Sequence, residues 1–178
     1  MPKTVTIGGI PTTLGLGTAF TMGLSTGTAK NIGLANVNTT PVGNVGAGED
    51  NLITYSLPTD ALSAAGKGVH ITAWGITANN ANAKTLKLYF GSVILTNSLT
   101  GSIAGFWRIE ADVFSTGTDA QRYASQLVTT GAAGVALNDI ESGTLTENDG
   151  AAITIKCTGE AVDNNDIIQQ AQIVTFFN

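Results

Sequence analysis

The strongest constraint on the fold is an alternation of apolar and polar side chains with a period of two, cut at intervals by turn residues. Trp107, Ile109, Ala111 and Val113 fall on one side of an extended chain, and Arg108, Glu110 and Asp112 fall on the other. Successive side chains of a strand point to opposite faces, so this is the pattern of a strand with one face in a core. The same period sets Leu86, Leu88 and Phe90 against Thr85, Lys87 and Tyr89, and Ile153, Ile155 and Cys157 against Thr154, Lys156 and Thr158. Residues 52–57 form a run that stops at Pro58, and residues 69–76 follow the turn Gly66-Lys67-Gly68. The turn residues 115–119 suit a hairpin whose second strand covers 121–130, and the cluster 163–166 turns the chain into a last run over 167–177. Roughly seven to nine strands and no helix follow from this reading.

Composition points the same way. Charged residues are 12% of the chain, the strong helix formers among them are scarce, and 22 glycines accompany abundant Thr, Val, Ile and Asn. With 43% apolar residues and a mean hydropathy of +0.20, the 178 residues can bury a core. The expected fold is all-β, a jelly-roll-like antiparallel β-sandwich with an extended Gly/Thr-rich N-terminal arm. A net charge of −5 argues against a nucleic-acid partner, which is held through Lys and Arg. No apolar run approaches the ~20 residues of a membrane helix, and no apolar signal core follows the start, so neither a membrane partner nor Sec export is expected. One cysteine gives no internal disulfide.

Charge divides the chain in two. Residues 1–48 carry only Lys3 and Lys30, whereas all thirteen carboxylates lie from Glu49 onward against six cations, a net of −7. The division assigns 1–48 to an arm and 49–178 to the sandwich body. Within the arm, Leu14, Leu16, Met22, Leu24, Ile32 and Leu34 form three apolar-Gly-apolar triplets, and Phe20 is its one aromatic residue. Such a segment is too apolar for a solvated linker and too glycine-rich for a helix. These seven side chains are therefore the candidates for docking on another surface, whether the chain's own body, a sister subunit or a different protein.

Candidate chemistry is sparse. Glu110 and Asp112 stand two apart on one strand face, ~7 Å apart, a spacing that carboxylate pairs use in glycoside hydrolysis; Arg108 shares that face, and a solvated or subunit-facing stripe is the plainer reading. His70 is the one histidine, shares a face with Thr72 and Trp74, and lies in no nucleophile motif. Cys157 lines up with Ile153 and Ile155 as a core residue. The acidic loops 147–150 and 163–166 offer oxygen ligands but lack the spacing of a calcium loop, so no metal and no cofactor are expected. Trp74, Tyr89, Phe90, Phe106 and Trp107 raise a sugar platform as an alternative, with Tyr89 and Phe106 pointing opposite to Phe90 and Trp107.

The stretches Asn51-Leu-Ile-Thr-Tyr-Ser-Leu-Pro58, Gly66-Lys-Gly-Val-His-Ile-Thr-Ala-Trp-Gly75 and Lys84-Thr-Leu-Lys-Leu-Tyr-Phe-Gly91 resemble a group of tailed-phage virion proteins. The likeness continues through Trp107-Arg-Ile-Glu-Ala111, Ala152-Ile-Thr-Ile-Lys-Cys-Thr-Gly159 and Asn165-Asp-Ile-Ile-Gln169. It spans most of residues 40–178 and not the leader. The resemblance implies a β-sandwich head-decoration, head-fibre or tail protein with no recognised active site. A capsid decoration or cement protein, not an enzyme, is the expectation: made in the host cytoplasm, carried on the virion surface, self-associating as a homotrimer and bound through its arm to the major capsid protein. A head or tail fibre that recognises host-surface glycans is the alternative.

Overall fold

The computed structural model describes residues 3–7, 10–14, 33–96, 99–101, 103–131 and 136–177. Strands β1 (Lys3–Ile7) and β2 (Ile10–Leu14) pair with each other, Lys3 opposite Leu14 and Ile7 opposite Ile10. The other strands are β3 (Gly33–Asn38), β4 (Val42–Gly43), β5 (Gly48–Leu57), β6 (Gly68–Thr77), β7 (Lys84–Phe90), β8 (Val93–Ile94), β9 (Leu99–Gly101), β10 (Ile103–Gly117), β11 (Ala120–Gly131), β12 (Ala136–Leu145), β13 (Ile153–Ala161) and β14 (Ile167–Phe177). They build two antiparallel sheets packed face to face, with no helix among the described residues. The larger sheet runs β12-β11-β10-β6-β14-β3, with β4 also on β14; the smaller runs β5-β13-β7-β8, with β9 also on β7. The all-β antiparallel sandwich is thus present, and the jelly-roll subdivision of that class stays an expectation.

The alternation read from the sequence becomes the core. Val69, Ile71 and Ala73 of β6, Trp107, Ile109, Ala111 and Val113 of β10, and Ile167 and Val174 of β14 meet Leu86, Leu88, Phe90, Ile153, Ile155 and Cys157 of the smaller sheet. Trp107 is the largest wholly buried side chain, and its Nε1 donates to the Ile76 carbonyl at 3.3 Å. Its ring lies against Gly75, where a Cβ would strike both the indole and the Ile168 carbonyl, so the tryptophan fits only because its neighbour has no side chain. The hairpin expected at 115–119 is present: β10 and β11 pair through Gly117 and Ala120, and Asp119 takes a φ of 49°, which Asp tolerates in a turn.

Two polar corners join the sheets. At one, the chain crosses from β6 to β7 and from β13 back to β14. Asp166, buried, accepts from Asn80 Nδ2 at 2.6 Å and from Asn82 Nδ2 at 2.8 Å. Wholly buried Lys84 donates to Asn80 Oδ1 at 2.7 Å and to the Asn82 carbonyl at 3.1 Å. Burial pushes the Asp166 carboxyl up, but the hydrogen bonds from Asn82, Asn80 and the Asp163 backbone, with the Lys84 charge, outweigh it and hold the group below the usual carboxylate range. At the other corner, Asp149 accepts from the Asp119 backbone at 3.0 Å and from Gln121 Nε2 at 2.7 Å.

The sheet begins earlier than the charge split at residue 48 suggests. β3 and β4 both pair with β14, and Asn44 is wholly buried, bonding to both backbone groups of Ile167. Residues 33–47 lack charge because they form an edge of the larger sheet, where Ala35 and Val42 pack on the core. For this part of the expected arm, the surface it lies on is its own body.

Candidate functional site: the outer face of the larger sheet

Each sheet has one face in the core and one outside, and the two outer faces differ in chemistry. On the smaller sheet the outer face is polar and paired off. Glu49 of β5 takes Lys87 Nζ at 2.6 Å, the Thr158 hydroxyl at 2.6 Å and the Tyr89 hydroxyl at 2.9 Å. Lys156 donates to Asn51 Oδ1 at 2.8 Å and stands 5.1 Å from the centre of the Tyr89 ring. Burial pushes the Glu49 carboxyl up, and the hydrogen bonds from Lys87, Thr158 and Tyr89 outweigh it, holding the group at about 2.

On the larger sheet the register lines up a different set of side chains. Across β10, β6 and β14, Phe106 lies level with Ile76 and Ile168, Glu110 with Thr72 and Ile173, and Asp112 with His70 and Thr175. Phe114 and Phe177 stack, with ring centroids 5.5 Å apart and planes at 12°. At the edges, Leu34 and Val37 of β3 sit opposite Thr175 and Ile173, and Ile140 of β12 sits opposite Gln126. Six of the nine exposed large hydrophobics among the described residues, Leu34, Val37, Ile76, Phe106, Phe114 and Ile140, therefore share this one face. Val45, Ile94 and Val162 lie elsewhere. Scattered apolar residues are ordinary on a protein surface, whereas six on one sheet face, flanking a polar stripe, single that face out as the candidate interaction surface.

Arg108, Glu110, Asp112 and His70 are paired within this face. Arg108 bonds Glu110. His70 donates from Nδ1 to Asp112 Oδ1 at 2.7 Å, and its Nε2 meets the Thr72 hydroxyl at 2.9 Å. Asp112, His70 and Thr72 thus stand in the order of an acid, a base and a hydroxyl nucleophile. The reaction such an order serves also needs N–H donors aimed at a developing oxyanion. Thr72 lies at the middle of β6, with β10 and β14 in register on both sides, so its neighbouring backbone amides belong to the ladders. Arg108, the nearest cation along the sheet, is held by Glu110. The array is a polar tie between β6 and β10, and Glu110 and Asp112 each have a side-chain partner on the face.

Two shallow hollows mark the face. One, of about 390 Å³, is lined by Thr72, Trp74, Phe106, Arg108 and Ile173. The other, of about 260 Å³, lies beside His70, Asp112, Gln126 and Ile140. The five aromatic residues raised as a sugar platform do not come together. Phe90 and Trp107 are wholly buried, Tyr89 is on the outer face of the smaller sheet, and only Trp74 and Phe106 share a hollow. Tyr89 and Phe106 do point opposite to Phe90 and Trp107, as the alternation predicts.

The other candidate residues fall as follows. Cys157 is wholly buried, and burial pushes its thiol up to about 12, the state of an inert core residue. In the acidic loops, Asp149 and Asp166 take the donors described above, and Glu147 takes the Ser92 backbone and hydroxyl at 2.8 and 2.7 Å. These carboxylates work as turn ties. Of the docking residues, Leu16, Phe20, Met22, Leu24 and Ile32 lie outside the described residues; Leu14 ends β2, and Leu34 is 66% exposed on β3. Sequence reasoning marked single residues of the face but missed its extent, because it depends on which strands lie side by side. Compared with protein-family models, curated proteins and solved structures, the chain gives no match in any of the three, so its own residues carry the functional reading.

Proposed function

We propose that this chain is a structural component of a tailed-phage particle, of the decoration or cement kind, that works by surface contact and turns over no substrate. The observation that carries the reading is the uneven surface. Carboxylates and the histidine are engaged in internal ties, while the exposed large hydrophobics gather on one sheet face. Placement on a phage particle is supported by the sequence resemblance of residues 40–178 alone. In this role many weak contacts, repeated by the symmetry of the particle, add up to firm attachment. The apolar leader ahead of β3, with Leu14, Leu16, Phe20, Met22, Leu24 and Ile32, is the segment assigned to docking on the major capsid protein, and Leu34, on β3, belongs to the sheet face.

A second reading, a head or tail fibre that binds host-surface glycans, is favoured by one feature: the hollow between Trp74 and Phe106 that Arg108 borders. Aromatic faces with a polar group at the rim suit a sugar ring. Copy number per purified particle, by quantitative mass spectrometry against the major capsid protein, separates the two. A ratio near one per capsid subunit, or a simple fraction of it, supports decoration. A handful of copies overturns decoration in favour of a fibre, and absence from particles overturns both.

A further inference from the structure

We infer that the outer face of the larger sheet is the surface through which copies of this chain pack against one another. The inference rests on the contact-surface reading above and not on placement in a phage particle.

Three observations commit the face to a copy of itself. The first is charge. The chain carries −5 overall, so two copies repel through most of their surface. On this face Arg108 and Arg122 balance Glu110 and Asp112, and three of these four, with His70, are already paired or ringed by apolar groups. A neutral face can meet itself without like-charge repulsion, and Arg108 and Arg122, on either side of Glu110 and Asp112 along the strands, let one copy's cations reach the other's anions at a small offset. The second is extent. Strands ~4.8 Å apart with a rise of ~3.3 Å per residue give a face six strands wide, from Phe106 to Phe114, an area of about 700 Å². That is close to the ~800 Å² per partner of a standard stable interface. The third is the distribution of exposed apolar side chains among the described residues. Six of the nine lie on this face, while Val45 and Val162 lie on adjoining segments at one corner and Ile94 on β8, so this face offers a contact between copies the most apolar surface to bury. Trp74, Phe106 and Arg108 supply the residue types that dominate interface energetics, grouped around one hollow that a neighbouring copy's side chain can enter.

Sedimentation velocity of the full chain across a micromolar concentration series tests this. The expected result is a species of two or more chains, reduced to a monomer by Phe106→Glu with Ile140→Lys. Ser56→Glu with Thr154→Glu, on the outer face of the smaller sheet, leaves it intact. All four positions are exposed, and an unchanged circular dichroism spectrum establishes folding. A second variant guards the result: Ala124→Cys places a thiol on the face, and because Cys157 is buried, the new thiol alone reacts. Its labelling slows at least tenfold between dilute and concentrated protein if the face closes. A monomer at every concentration, or an oligomer indifferent to Phe106→Glu with Ile140→Lys, overturns the inference. A monomer that still binds particles does so while leaving the contact-surface reading in force; an oligomer that dissociates as expected yet binds no particle upholds the inference and sinks the particle role.

Discussion

The two outer faces of this sandwich cover the same core and answer different demands. On the smaller sheet, Glu49, Lys87, Tyr89, Thr158, Lys156 and Asn51 satisfy one another at the surface, and among the described residues Ile94 is its one exposed large hydrophobic. On the larger sheet, a central stripe of paired charges crosses β6 and β10, and large aromatic and aliphatic side chains stand exposed on either side of it out to both edges. A face that only needs to stay wet is built of hydrogen-bonding pairs. A face that leaves Phe106, Phe114 and Ile140 between 40% and 69% exposed keeps apolar area out of its own core, and that area lowers the free energy only when something covers it.

Removing what the faces share should have the largest effect. Trp107→Ala empties the space above Gly75 and should cost about 3–5 kcal/mol in urea unfolding, taking both sheets down in one transition. Survival of one face without the other would show that the two sheets do not depend on a common core. Next comes the corner where the chain crosses between sheets. Asp166→Asn removes the buried carboxylate that Lys84 acts on through its charge and that ties Asn80 and Asn82, and should cost about 2–3 kcal/mol, with Lys84→Met in the same background recovering most of the loss.

The pairing within the smaller sheet was open to sequence reasoning only in part. Alternation in 84–90 and 153–158 marked Lys87, Tyr89, Lys156 and Thr158 as outward, and the structure has them so. That Glu49 joins them could not be read, because the charge split makes it the first residue of the body, not a partner of β7 two strands away. Strand β12 escaped notice because an edge strand has little to bury. Asp139 and Glu141 occupy its inward-side positions, and Ile140 faces out, so its pattern is inverted. β3 escaped for a related reason, since small residues at an edge need no strong period. The strand over 107–113 was legible because both its neighbours and its core face are full, which forces strict alternation. Lateral order is a long-range property, and it gathers Ile76, Phe114, Phe177, Ile173 and Ile140 around the His70–Asp112 stripe.

Smaller effects sharpen the contrast. The Glu49 carboxyl is depressed to about 2, so its contribution is present above the unfolded value near 4.5 and fades as pH falls through 2. The group is about a third exposed, and screening keeps this contribution to about 1 kcal/mol or less. Glu49→Gln should therefore lower stability modestly at pH 7 and leave it unchanged below pH 2, read from urea midpoints against pH. The smallest expected effect is on the other face. Phe106→Ser should move monomer stability by no more than ~0.5 kcal/mol, because what Phe106 contributes is contact with another molecule.

Covalent labelling of surface side chains, followed by mass spectrometry of the same protein dilute and concentrated, asks directly which face is covered. The account expects Trp74, Phe106, Phe114 and Phe177 to lose reactivity together as concentration rises, while Tyr89 on the opposite face keeps its own. Equal labelling of both faces at every concentration, or protection of Tyr89 in place of Phe106, would contradict it.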